Sequence, residues 1–466
     1  MYNSLKKYAG SNPVPFHMPG HKMGKGLPEE FLRDLLPMDV TEIPGMDNLH
    51  FPSGPIKQAQ QLAAEAFKAD KTYFLVNGST CGIHAMIFTI CKPGDKLIVT
   101  RDCHRSVIAG MMLAGVEPIY IKPEYNSRFG IYSHVDPDKI RQALDNNPDA
   151  VGVLITRPNY YGVCSDIVKI VQIVHSHEKL LIVDEAHGAH LCFNEKLPLG
   201  SMQAGVDMCV QSAHKTLPAL TQSAYLHVNG KKIDIERLEF YLSALQTSSP
   251  SYILMAFLDI ARAIMQNKGA QQLEDLFKNI EDLRETLKGV DGITLLGKSQ
   301  LCSDYDQTRV VINLRDTGIT GYEMEKLLRD ASNIQVEMSD YSNVVCISTV
   351  ADNQKDFEIL AEALKSMVEL HRKQDPLKDL YIPEAEDIFQ EIVLKDMALR
   401  SGKLVNIESA AGFVSHDMIV PYPPGIPLIC PGEKISRNSV DLLKTIAAAG
   451  GIIHGLVNEN EIRIVK

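Results

Sequence analysis

The sequence predicts an α/β protein whose mainly parallel sheet is covered by helices on both faces. Three observations predict it. Brief aliphatic or β-branched runs recur through the first half of the chain, and helical periodicity separates most of them. Small, polar or charged residues directly follow these runs, where open α/β sheets place their ligands. Residues 56–69 (IKQAQQLAAEAFKA) read as an amphipathic helix, and TYFLV (72–76) as a strand followed by NGST and a helix to Ile90. KLIVT (96–100), EPIYI (117–121), AVGVLIT (150–156), KLLIVDEA (179–186) and DMCVQSAHK (207–215) repeat the theme. A long helix is expected after Ser251, charged toward Lys288. A smaller α/β unit is expected from TRVVINL (308–314), a helix at 321–331, IQVEMSD (334–340), NVVCISTV (343–350) and a helix at 354–372.

These readings divide the chain into an N-terminal arm (1–55), a large domain (56–290), a small α/β domain (291–372) and a C-terminal domain (373–466) that carries VPYPPGIPLICPGE (420–433). The arm has turn formers at almost every third position in PFHMPGHK (15–22) and IPGMDNLHFPSGP (43–55), and reads as irregular. An arm this long is either disordered or tied to a surface, and His17, His21, Asp47 and His50 favour the tie.

The chain has 466 residues, 47 Lys+Arg and 58 Asp+Glu, a net charge of −11. An acidic chain is a poor general binder of nucleic acid, because phosphate backbones reward clustered Lys and Arg. No apolar run is long enough for a membrane span and the first residues lack a signal-peptide core. Nine scattered cysteines with no C-x-x-C pair argue for reduced thiols in a cytoplasmic protein and against a zinc site, so no metal is expected.

Two motif matches point to an ATPase and fail physically. GITLLGKS (292–299) fits the P-loop spelling and DEAH (184–187) the helicase spelling. A P-loop needs a strand before its first Gly and a helix after its last residue. Here an amphipathic helix precedes Gly292, and the intervening ITLL is apolar and strand-like, unsuited to an anion cradle.

The residues after the strands carry the chemistry. Asn77, Gly78, Ser79 and Thr80 stand at a helix start, where free N–H groups and small hydroxyls suit a phosphate. His104 follows the second run, Asp184 and His187 the fifth, and Ser212, His214 and Lys215 the sixth. Taken singly, each has an ordinary structural reading: a helix cap, a loop histidine, an ion-pair acid, a surface lysine. Taken together, they supply what an aldehyde cofactor with a phosphate tail and a pyridine nitrogen needs. Lys215 is the amine, Gly78–Thr80 the cradle, Asp184 the acid for the ring nitrogen and His104 a stacking partner.

This set resembles pyridoxal-phosphate enzymes of fold type I, the aspartate-aminotransferase-like fold with a seven-stranded, mainly parallel sheet. Further segments narrow the likeness: FHMPGHK (16–22), DVTEIPGMDNLHFPSG (39–54), NGST (77–80), DCHRS (102–106), VDEAHGAH (183–190), SAHK (212–215), QTSSPSY (246–252) and PYPPGIPLICPGE (421–433). On these the chain resembles the ornithine/lysine/arginine decarboxylases of the short, Gram-positive type over nearly its full length. The resemblance implies a pyridoxal 5'-phosphate enzyme that decarboxylates a basic amino acid in polyamine metabolism. Arginine, giving agmatine, is favoured over lysine or ornithine. Another fold type I activity is the alternative: an aminotransferase, a lyase, or a decarboxylase of a modified polyamine-like amino acid.

The likeness also implies residue roles. Lys215 would bear the cofactor, Asp184 would pair with the ring nitrogen, His104 would stack on the ring and His187 would sit near the phenolic oxygen. Ser79, Thr80, Ser212 and His214 would bind phosphate. Thr247 and Ser248 would reach the phosphate of a neighbouring subunit, which makes a homodimer the smallest complete unit. Glu408, then Asp47, are the candidate acids for the substrate's cationic end. The turn RPNYYG (157–162) departs from the family, which often has a small polar residue or Asn before the Pro.

Overall fold

A computed structural model of the chain describes residues 1–33, 35–380, 390–422 and 425–466. Its centre is a seven-stranded sheet. In chain order the strands are β1 (Lys71–Leu75), β2 (Lys96–Thr100), β3 (Glu117–Ile121), β4 (Gly152–Thr156), β5 (Leu180–Asp184), β6 (Met208–Gln211) and β7 (Ala224–Val228). Across the sheet they run β1-β7-β6-β5-β4-β2-β3. β7 is antiparallel to both its neighbours, while β6, β5, β4, β2 and β3 pair in parallel. Six of the seven match the aliphatic runs. The seventh, AYLHV, carries the polar His227 inside its apolar run, which weakens its signal.

Side chains alternate across the strands, and the two faces pack against different helices. On one face Leu97, Val99, Leu154, Ile182 and Val210 meet Ile83, Met86, Ile108 and Leu238 from helices Gly78–Ile90, Arg105–Ala114 and Ile235–Leu245. On the other, Ile98, Val153, Ile155, Leu181 and Val183 meet Ile140, Leu144, Ile170 and Val174 from helices Pro137–Asn146 and Ile167–Ser176. With both faces covered, the polar backbone at the strand ends is the natural place for a ligand.

A rod of helix, Tyr252–Ile264, a π-helical turn at Met265–Gly269 and Ala270–Leu287, leads to a second sheet. That sheet pairs Thr294–Leu295, Arg309–Asn313, Asn343–Ile347 and Met338–Ser339 in antiparallel fashion. Thr294 and Leu295 lie inside the P-loop spelling, and Lys298 pairs with Asp304 at 2.7 Å on the surface. The segment is a strand edge and not a phosphate cradle. The C-terminal region adds a three-stranded sheet (Gly402–Asn406, Glu461–Val465, Leu456–Val457) and helix Arg437–Ala448. Pro423 and Pro424 of the Pro-rich segment lie outside the described residues, as do residues 381–389 and Asp34. Among the described residues no helix is long and apolar enough to cross a membrane.

The arm differs from its expected irregular form. It opens with helix Tyr2–Ser11, and Val14–Phe16 pairs in parallel with Ile334–Val336. FHMPGHK then threads between the short helical segment 213–217 and the second sheet. Gly20 N donates to His214 O at 2.7 Å, Thr349 Oγ1 donates to Gly20 O at 2.8 Å, and Lys22 Nζ donates to Ile347 O at 2.6 Å. A Cβ on Gly20 would lie 2.5 Å from Leu217 O, so this crossing admits glycine alone.

Candidate active site

Three parallel strand ends and one helix start converge on Lys215. β6 ends at Gln211, Ser212 follows, and Lys215 lies in the short helix Ala213–Thr216. The lysine keeps some open surface, as a reactive amine must, yet its surroundings are dense enough that burial lowers its pKa to about 8. Asp184 and Glu337 oppose that shift by favouring the charged amine, and Arg309 adds to it.

Asp184 is the last residue of β5 and is 3% exposed. Burial raises its pKa, against the pull of Lys215 and of the Ala186 N–H, which donates to Oδ1 at 3.1 Å. A carboxylate enclosed with so little hydrogen bonding is matched to a cationic partner, and a protonated ring nitrogen is one. His104 caps helix Arg105–Ala114: its Nδ1 accepts from Ser106 N at 3.3 Å and lies 2.7 Å from Ser106 Oγ. Burial lowers the pKa of this imidazole to about 4, which keeps it a neutral, flat surface at neutral pH.

His187 Nε2 lies 3.0 Å from Lys215 Nζ, and Arg309 Nη2 donates to His187 Nδ1 at 3.0 Å. The Tyr160 ring stands 4.9 Å from the His187 ring. Burial pushes the His187 pKa well down, with Lys215 and Arg309 acting the same way.

The residues expected to hold a phosphate lie at one helix start and beside it. Helix Gly78–Ile90 starts after Asn77 without a side-chain cap, so its first N–H groups stay available to an anion. Gly78 has φ +76°, Ser212 Oγ donates to Ser79 Oγ at 2.9 Å, and Thr80 is exposed. His214 Nδ1 donates to Ser223 O at 3.0 Å, and burial holds its pKa at about 4. Its Nε2 donates only once the ring is protonated, which a phosphate dianion alongside would favour. Amine, enclosed acid, neutral stacking ring and uncapped helix start fit pyridoxal phosphate. Among the described residues no cluster of three or more His, Cys, Asp or Glu could hold a metal.

The acids expected for the substrate's cationic end are occupied elsewhere. Glu408 is exposed and pairs with Lys444 at 2.8 Å. Asp47 accepts the backbone N–H of Asn48, Ser53, Gly54, Ile56 and Lys57, so it organises the entry to helix Pro55–Phe67. Thr247 Oγ1 accepts from Ser249 N and Thr247 O from His50 Nε2, on the surface of the single chain with Ser248. Three residues at the site escaped the sequence reading: Arg309, Glu337 and the ring of Tyr160. A charge opening the apolar run RVVIN, and another interrupting IQVEMS, were the available signals.

Residues 1–304 match the profile of the Orn/Lys/Arg decarboxylase major domain, and residues 385–460 match that family's C-terminal domain. Arginine decarboxylase of Bacillus subtilis (strain 168) is 38% identical over 481 residues, covering 100% of this chain and 97% of that protein. Arginine decarboxylase of Bacillus anthracis is 35% identical over 464 residues, covering 98% and 94%. Lysine decarboxylase A from Pseudomonas aeruginosa shares the fold with a TM-score of 0.80 at 20% identity, covering 99% of this chain and 81% of that one. Ureidoglycine-glyoxylate aminotransferase from Bacillus subtilis shares it at 0.61 and 13% identity, over 79% and 95%. With two profiles matched in order and relatives aligned from end to end, the chain belongs to the Orn/Lys/Arg decarboxylase family.

Proposed function

We propose that the chain is a cytoplasmic, pyridoxal-phosphate-dependent decarboxylase of basic amino acids, with arginine as its substrate and agmatine as its product. The observation that carries the reading is the enclosed Lys215 amine, set beside Asp184 and His187 at the ends of adjacent parallel strands. The names of the full-length Bacillus relatives support arginine.

Pyridoxal phosphate, when bound, supplies a conjugated ring that takes up the electron pair left as the substrate's carboxylate departs as CO2. Lys215 supplies the amine that holds the cofactor. Asp184 keeps a proton on the ring nitrogen, and enclosure strengthens that electrostatic hold. His104 offers a neutral face to the ring. Ser79, Thr80, Ser212, His214 and the free N–H groups at 78–80 hold the phosphate. Replacing CO2 by hydrogen needs a proton at the α-carbon. Lys215 Nζ and His187 Nε2, 3.0 Å apart, are the proton-holding atoms of this pocket.

Glu337 replaces Glu408 and Asp47 as the acid for a cationic substrate. Its charge acts on Lys215 and Arg309, and its Oε2 accepts from Met18 N at 2.8 Å. The surface position of Thr247 and Ser248 supports a homodimer in which each chain completes its partner's phosphate site. The test is a panel of arginine, lysine and ornithine with product identification. CO2 and agmatine from arginine are expected. Transfer of the amino group to a keto acid, without CO2, would replace this reading with an aminotransferase.

A further inference from the structure

His187 stands between two nitrogen groups, and hydrogen-bond bookkeeping leaves little freedom there. A guanidinium has no acceptor and stays protonated, so Arg309 Nη2 makes His187 Nδ1 the acceptor of their 3.0 Å bond. The neutral ring then carries its one proton at Nε2. That N–H faces Lys215 Nζ at 3.0 Å, and the contact becomes a bond if the lysine nitrogen presents a lone pair. An ammonium at 215 would set N–H against N–H. A doubly protonated ring would do the same against Arg309. One arrangement satisfies both contacts: charged Arg309, His187 protonated at Nε2, and Lys215 as a free amine.

Arg309 is built into place for this. It is 1% exposed, its backbone N donates to Asp306 O at 3.1 Å, and the Tyr305 hydroxyl donates to its carbonyl. Gly162, the last residue of the RPNYYG turn, has φ +85°, and a Cβ there would lie 2.7 Å from Arg309 Cβ. The turn that departs from the family pattern thus clears the space Arg309 occupies. Arg309 Nε is enclosed and has no partner among the described residues, so the side chain holds its place at the cost of one unmet donor.

We propose that Arg309 is a positioning residue that fixes His187 as an Nε2–H donor, so that Lys215 meets the cofactor aldehyde as an unprotonated amine. The inference rests on the pyridoxal-phosphate reading. The amine's lone pair forms the C–N bond, and its two hydrogens leave with the aldehyde oxygen as water. The charged and titratable groups facing this pair are Asp184 and Glu337, which favour an ammonium, and Arg309, His104 and His214, which disfavour a second positive charge. The Tyr160 ring closes one side of His187.

The test follows capture of pyridoxal phosphate by the cofactor-free full-length protein, through the imine absorption band, from about pH 6 to about pH 10. Wild-type capture is expected to rise with a midpoint near 8. In Arg309→Gln the midpoint moves up by about one unit, which slows capture at pH 7 about tenfold while the alkaline plateau stays within about twofold. Arg309→Lys, which restores charge and donor, returns the midpoint. An Arg309→Gln midpoint equal to wild type overturns the proposal. Nitrogen-15 NMR of labelled wild-type protein tests it without any variant: a protonated Nδ1 on His187 overturns it, and a protonated Nε2 supports it. A wild-type protein with no imine band at any pH refutes the functional reading instead, and the NMR result still decides the tautomer.

Discussion

Asp184 and Glu185 are consecutive acids at the end of one strand, and their surroundings could hardly differ more. The Asp184 side chain acts on Lys215, and its carboxylate accepts one hydrogen bond among the described residues, from Ala186 N. Glu185 faces the other way and is fully enclosed. Its Oε1 accepts from Ser201 N at 3.0 Å and Ser201 Oγ at 2.6 Å, with Arg157 Nη1 at 3.5 Å. Its Oε2 accepts from Gln211 Nε2 at 2.6 Å, and the chain continues from Gln211 Oε1 to His227 Nε2 and from His227 Nδ1 to Thr72 Oγ1. The second region is complete within the protein and ties four strands together. The first leaves the Asp184 carboxylate with a single N–H donor among the described residues. Enclosed polar groups that lack protein partners mark chemistry, whereas saturated ones mark architecture.

Mutation breaks this comparison most sharply at Lys215. Lys215→Ala is expected to lose turnover by at least about four orders of magnitude in a CO2-release assay, with an unchanged melting temperature. An active, well-folded Lys215→Ala enzyme would remove the assignment. The adjacent acids should then separate. Asp184→Asn is expected to slow turnover about 10²- to 10³-fold and to weaken cofactor retention, with little change in denaturant midpoint. Glu185→Ala strands Arg157 and should cost about 3–5 kcal/mol of stability while the folded fraction keeps most of its rate. Equal stability losses in the two variants would erase the distinction.

Acid titration sharpens it further. His104 and His214 are held at about 4 and His227 at about 3 by burial, against about 6.5 in an unfolded chain. Between these values the unfolded state binds more protons, so stability is complete above pH 6.5 and falls as the pH drops toward 4, by about 3 kcal/mol per group. His227→Gln, on the architectural side, should flatten that acid limb in melting curves. Phosphate binding should do so through His214 on the chemical side. The smallest effect is expected at Glu337. Glu337→Gln should raise KM for arginine about tenfold with kcat within a fewfold, and an unchanged KM would remove Glu337 as the acid for the cationic end of the substrate.

The sheet was legible because its strands are uninterrupted aliphatic runs, and burial on both faces demands that composition. The β7 run was harder to see, since His227 serves a cross-strand network that sequence spacing does not reveal. Lys215, Asp184, His104 and His187 stood out as candidates because each lies at or just beyond the end of a strand. Arg309 opens a strand of the second sheet and Glu337 lies between two short strands, both more than 90 residues beyond Lys215, so no local spacing links them to it. Glu408 and Asp47 looked equally suitable as acids, because a sequence shows a charge but not the Lys444 ammonium or the helix N–H groups that already satisfy it.

The crossing at Gly20 bears on how the molecule is made. Lys22 bonds to Ile347 across 325 positions, and Thr349 reaches back 329 to Gly20. The stretch translated almost first is therefore locked in only after three-quarters of the polypeptide has emerged. Such distant closure is slow relative to local helix formation. The short helix bearing Lys215 cannot be braced while the ribosome is still reading the second sheet, so in a nascent chain that segment stays unfastened until the chain's own beginning returns to it.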